Sequence, residues 1–133
     1  GYGRWTLARD GAAWPCSFED LVLPPVFSPD GARLAAVGKS GERWTIAVDG
    51  VAWEQGFDMI WDPVFSPDGS TVAAKAERGG SCLVAVDGRP WSTRFEKLWQ
   101  PVFSPDGKRV LIRGVEDGVY VRRVVAVDEL RRG

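Results

Sequence analysis

The sequence predicts an all-β fold assembled from repeated four-stranded antiparallel sheets, and three observations carry that reading. The heptad PVFSPDG stands at 25–31, 63–69 and 101–107, a period of 38 residues. An apolar strand closed by Asp-Gly and followed by Trp recurs as Asp10-Gly11 with Trp14, Asp49-Gly50 with Trp53, and Asp87-Gly88 with Trp91. Phe18, Phe57 and Phe95 each stand four residues beyond that Trp. Finally, no segment carries the 3.6-residue periodicity of a helix, which excludes helical repeats. A fixed period of this length means one supersecondary unit stacked on copies of itself.

Each element of the unit follows from its residues. PVFS is a short apolar run, and Ser-Pro-Asp-Gly supplies a preset φ, a side chain that bonds the turn, and a residue free to take positive φ. This is a hairpin built on a type I turn with a bulge. The recurring acids Asp30, Asp68 and Asp106 therefore read as turn formers. The next run, Leu34-Ala35-Ala36-Val37, Val72-Ala73-Ala74 or Val110-Leu111-Ile112, is apolar on both faces, as in a strand covered on both sides. A third strand follows a Gly-rich variable loop, Trp44-Thr45-Ile46-Ala47-Val48 or Cys82-Leu83-Val84-Ala85-Val86. Asp-Gly then makes a two-residue hairpin into a fourth strand bearing Trp53 or Trp91.

Four short antiparallel strands in about 40 residues, repeated, describe the blade of a β-propeller. The chain divides into the last two strands of one blade (1–23), two whole blades (24–61 and 62–99), and three strands of a final blade (100–133). At the end of that last third strand, Asp128 is followed by Glu129 where the motif has Gly. About three and a half blades make an incomplete ring, since closed propellers use roughly 4 to 8. Open ends leave unpaired strand edges, so the missing blades are expected from the rest of a longer chain or from self-association.

Composition excludes several functions. Seventeen basic residues balance 18 acidic ones without a stripe of one sign, which speaks against nucleic acid as a partner. The basic cluster Arg122, Arg123, Arg131 and Arg132 reads as a solvated terminus. No apolar run reaches the roughly 20 residues of a membrane-spanning helix, and the start, Gly1-Tyr2-Gly3-Arg4-Trp5, has neither an initiator Met nor the apolar core of a secretory signal. The chain thus reads as an excised segment. There is no histidine, which removes His-dependent nucleophile pairs, haem ligation by His and the common zinc sites. Cys16 and Cys82 have no metal or redox spacing, and no phosphate-binding glycine loop is present. No catalytic residues, no metal and no cofactor are predicted, and the protein is not expected to be an enzyme.

Seven tryptophans are the compositional oddity. Trp14, Trp53 and Trp91 share one repeat position; Trp5 and Trp44 share a second, which Cys82 occupies in the next unit as a core residue. Repetition at fixed register favours packing between blades. Trp61 and Trp99, two residues before each Pro of the heptad, are placed on the loop leading into the innermost strand, which opens at a propeller rim. They are the candidate partner contacts.

The heptad followed by an apolar strand resembles TolB-like and WD40-like (PD40) propeller repeats, a likeness that implies fold more than function. A narrower likeness rests on AVDG-x-x-W joined to F-x-x-x-W-x-PVFSPDG, on Tyr2-Gly3-Arg4-Trp5-Thr6 and on Leu111-Ile112-Arg113-Gly114-Val115-Glu116. These residues resemble the C-terminal part of the TmcD family, the tryptophan-rich propeller subunits of the Tmc transmembrane electron-transfer complexes of sulfate-reducing bacteria. The likeness covers residues 2 to 130, with departures at Leu23-Pro24 (against Trp61-Asp62 and Trp99-Gln100) and at Cys82. It implies a cytoplasmic subunit, peripheral to the inner membrane through its complex, with no cofactor of its own and with redox-complex subunits as protein partners. The alternative is a TolB-like periplasmic adaptor for a protein or peptide. A propeller gating a peptidase would need a GxSxG nucleophile elbow, which the sequence lacks.

Overall fold

The computed structural model describes residues 6–9, 11–13, 18 and 20–133. The protein is all-β apart from one short helix, with three four-stranded antiparallel sheets and a two-stranded ribbon, β1 (Ala8–Arg9) and β2 (Ala12–Ala13). The first sheet is the meander β3 (Asp20–Phe27), β4 (Leu34–Ser40), β5 (Arg43–Val48) and β6 (Val51–Ala52). The second repeats it as β7 (Met59–Phe65), β8 (Val72–Arg78), β9 (Ser81–Val86) and β10 (Arg89–Pro90). In the third, β11 (Lys97–Leu98) and β12 (Val102–Phe103) lie along the same side of β13 (Arg109–Glu116), whose other edge pairs with β14 (Val119–Ala126). The chain closes with α1 (Val127–Arg132). Trp5, Trp14, Cys16 and the run Tyr2 to Trp5 lie outside the described residues.

The heptad turns are three copies of one hydrogen-bonded unit. In each, the Ser hydroxyl donates to the Asp carboxylate, at 2.6, 2.7 and 2.5 Å for Ser28–Asp30, Ser66–Asp68 and Ser104–Asp106. The same carboxylate accepts the backbone N–H of Ala32, Ser70 or Lys108, and Gly31, Gly69 and Gly107 take φ of 74°, 76° and 72°. These acids are therefore committed to turns. Hydrogen bonds from the Ser70 N–H and from the Ser66 and Ser70 hydroxyls hold the Asp68 carboxyl at about 2. In the unfolded chain an aspartate takes up its proton near pH 3.9. Between pH 4 and 2 the unfolded state thus binds more protons than the folded one, and stability falls as pH drops through that window. Asp68→Asn should flatten the decline of the melting temperature between pH 4 and 2, and a carboxyl NMR titration should place Asp68 near 2.

Asp-Gly serves a different turn. Asp49-Gly50 and Asp87-Gly88 both have positive φ at each residue, the two-residue hairpin that fits the twist of the strands. Each aspartate also accepts a bond from the sheet's second strand, Leu34 N to Asp49 and Val72 N to Asp87 at 2.9 Å. A third such hairpin, Asp117-Gly118, joins β13 to β14.

The sheets stack face to face through two cores. Ala35, Val37 and Ile46 of the first sheet meet Ile60, Phe65, Val72, Ala74 and Leu83 of the second. On its other face the second sheet presents Ala73, Val84 and Val86 to Val110, Ile112 and Val125 of the third. Neighbouring residues of a strand point to opposite faces, so Ala73 and Ala74, both buried, show the middle sheet covered on both sides. Small alanines let the sheets approach, as the sequence predicts. The repeat phenylalanines join one sheet to the next. Phe57 pairs through its backbone with Trp44 of the first sheet, yet its fully buried ring belongs to the core shared with the second. Phe18 and Phe95 lie against the bare backbones of Gly38 and Gly114, where any Cβ would collide with the ring.

Two expectations are corrected. Asp128 does not close the last third strand; it lies in the first turn of α1. The pairing Leu111↔Val124 matches Ala73↔Val86, so Val125 stands where Asp87 would. Without an Asp-Gly pair at that position the strand continues to Ala126 and the chain enters a helix, with Asp128 and Glu129 in its first turn and Arg131 and Arg132 in its last, each sign suited to the helix dipole. Val127 and Leu130 are buried in the second core, and Arg131 reaches Asp87 at 2.7 Å and Thr71 at 2.8 Å. Arg131 and the rest of α1 are therefore part of the packed structure rather than a solvated terminus. The second correction concerns the innermost strands. They begin at Asp20, Met59 and Lys97, ahead of the heptad, and register shifts between Val22 and Val26 and between Trp61 and Val64 absorb the prolines. Trp61 thus lies within β7, not on a loop, because a bulge lets the strand pass Pro63 without losing its pairing.

Candidate functional site

The register of the third sheet determines what its two faces carry. Val110, Ile112, Val121 and Val125 point into the second core, so the alternate residues Leu111, Arg113, Tyr120, Arg122 and Val124 point away from it. The corresponding faces of the first and second sheets are each covered by the following sheet, through Val37 and Ile46 in one case and Val84 and Val86 in the other. Here no sheet covers the face among the described residues. Trp99 is 44% exposed, Val102 44%, Tyr120 57% and Val124 62%.

The two sequence candidates sit on equivalent positions of successive sheets. Trp61 is half-buried, and the Lys75 ammonium lies 5.0 Å from its ring centre, a cation–π contact. Trp99 stands where the innermost strand of the third sheet is broken between β11 and β12, and its N–H donates to Arg113 O at 2.9 Å. Its ring meets Tyr120 edge to face, with centroids 5.7 Å apart. Both tryptophans line a groove of about 470 Å³ between the second and third sheets, together with Lys75, Cys82, Leu98 and Gln100. Gln100 reaches across one repeat to Asp62 O at 3.5 Å. Asp62 holds a φ of 50° at the bulge, a conformation Asp tolerates better than most residues.

Cys82 is half-buried at the floor of this groove and packs on the second core. Burial, then the neighbouring Glu77, pushes its thiol up, so the reactive thiolate is disfavoured. Tyr120 takes the repeat position of Cys82 and Trp44, which sequence reasoning missed because Tyr interrupts an aromatic-to-Cys series that only strand pairing reveals. Trp53 and Trp91 pack as predicted, Trp91 only 8% exposed in the second core and Trp53 over the Gly88 turn of the next sheet.

Arg113 and Arg122 are directly opposed across β13 and β14 at the centre of the outward face. Like charges placed this way destabilise a strand pair. The same pair of positions holds Val37 with Ile46 in the first sheet and Lys75 with Val84 in the second. Glu116 bonds Arg123, which lies on the opposite, inward face and so offers Arg113 no counter-charge. Among the described residues no group of three or more Cys, Asp or Glu could hold a metal ion, and no helix is long and apolar enough to cross a membrane. Comparison with protein-family models and with curated proteins finds no match to the chain.

Proposed function

We propose that the three sheets are blades of a β-propeller and that the protein is a non-catalytic interaction scaffold of a membrane-bound electron-transfer complex. On this reading it docks onto redox subunits at the cytoplasmic side. The observation that carries the scaffold reading is the stacking itself. The middle sheet is buried on both faces while aromatic side chains at the end of the stack stay exposed, a rigid frame with a sticky surface. Radial repetition of four-stranded sheets, each turning one face to its predecessor and the other to its successor, is the propeller's way of limiting open edges. The redox association is supported by the sequence likeness to TmcD-type subunits. Affinity purification of the protein from its native membranes tests it. A cytochrome or iron–sulfur subunit is expected to co-elute, recognised by its visible absorption, and recovery free of any such chromophore would overturn the redox assignment.

A further inference from the structure

We infer that the outward face of the third sheet is a docking surface for an acidic, apolar surface of a separate protein, which seats a carboxylate over the Arg113–Arg122 pair. This deepens the scaffold reading and rests on it. The face is apolar at its edges, through Trp99, Val102, Tyr120 and Val124, and cationic at its centre. Its outward strand positions also include Lys97 and Arg109 and carry no Asp or Glu. The Nε of Arg113 is the one buried side-chain nitrogen or oxygen among the described residues without a hydrogen-bond partner.

Each of these features costs stability in the isolated chain. An enclosed guanidinium nitrogen without an acceptor loses its hydration, and two arginines opposed across a strand pair repel. A single carboxylate between them removes both costs, and a guanidinium binds it through paired hydrogen bonds. The surrounding Trp99, Tyr120 and Val124 exclude water and strengthen that contact. Sign decides against a second copy: a two-fold contact through this face would set Arg113 and Arg122 against their own counterparts. The bulky apolar rim distinguishes the face from a phosphate-binding surface, where cations line an open polar groove.

Titration of the whole chain with 4-phenylbutyrate, an apolar carboxylate, tests the recognition chemistry, with 4-phenylbutylamine as the opposite-sign control. The Arg113 Nε–H and Trp99 indole N–H signals in nitrogen–proton NMR spectra should shift saturably with the acid and not with the amine. Arg113→Met and Arg122→Met should each weaken that binding about tenfold, the loss of one charge-assisted hydrogen bond. Both lie on an exposed face, so unchanged melting confirms that the variants fold. Equal shifts with acid and amine, or an unmoved Arg113 signal, would overturn the inference. Light scattering over a range of concentrations checks the occupant. A monomer fits a separate partner, whereas a dimer abolished by Val124→Lys would assign the face to a second copy and overturn it. Failure of these titrations leaves the membrane co-purification result standing, and the converse holds too.

Discussion

Phe57→Ala is expected to destabilise the protein by about 3 to 5 kcal/mol, the usual cost of emptying a fully buried aromatic site. Phe57 is wholly buried, and it does more than fill space. Its N–H and C=O exchange bonds with Trp44 at 2.8 Å, fastening the outer strand to the first sheet, while its ring lies in the core shared with the second. The Arg78 guanidinium stacks over that ring at 4.5 Å, and also donates to Gly56 O at 2.8 Å. Truncation leaves a cavity at the junction of two sheets and removes the face on which Arg78 rests. Chemical denaturation monitored by tryptophan fluorescence and by circular dichroism should show the loss with both probes. A cost below about 1 kcal/mol would mean that the sheets do not depend on each other through this residue.

Trp91→Ala should cost a similar 3 to 5 kcal/mol, while Trp99→Ala should cost about 1 kcal/mol or less. The contrast follows from burial, since Trp91 is 8% exposed and Trp99 44%. Trp91 donates its backbone N–H to Val84 O at 2.8 Å, and its ring fills the second core beside Phe95, with centroids 6.4 Å apart. Trp99 forfeits little more than its edge-to-face contact with Tyr120. Equal destabilisation by the two substitutions would remove the reason for reading Trp99 as a surface for partners.

The fold was legible where local chemistry and long-range repetition agree. Ser-Pro-Asp-Gly and Asp-Gly fix their turns through φ preferences and short side-chain bonds, and the structure shows those bonds at each described copy. Apolar β4 and β8 announced sheets covered on both faces. Misreadings arose where identical letters sit at different registers. Ala126-Val127-Asp128 repeats the spelling of Ala47-Val48-Asp49, but the pairing set by the Asp117-Gly118 turn places it beyond the equivalent strand end. Likewise Pro63 suggested that β7 starts at the heptad, although a bulge carries the strand through it. The candidate site was half legible. Trp61 and Trp99 could be picked out by repetition, whereas Tyr120, Arg113 and Arg122 gain meaning only once the register shows them sharing one face.

Where the first two sheets fold a short fourth strand back over β5 and β9, the helix draws the chain away and β14 keeps one side unpaired along its eight residues. A long, extended margin of that kind is a template onto which a like strand can add, the first step toward fibre growth. Arg122 and Arg123, adjacent in the middle of the strand, guard it: an in-register neighbour would have to lay its own arginines beside them. The same charges that burden the sheet's outward face thus let the protein hold an uncapped border in solution without recruiting copies of itself.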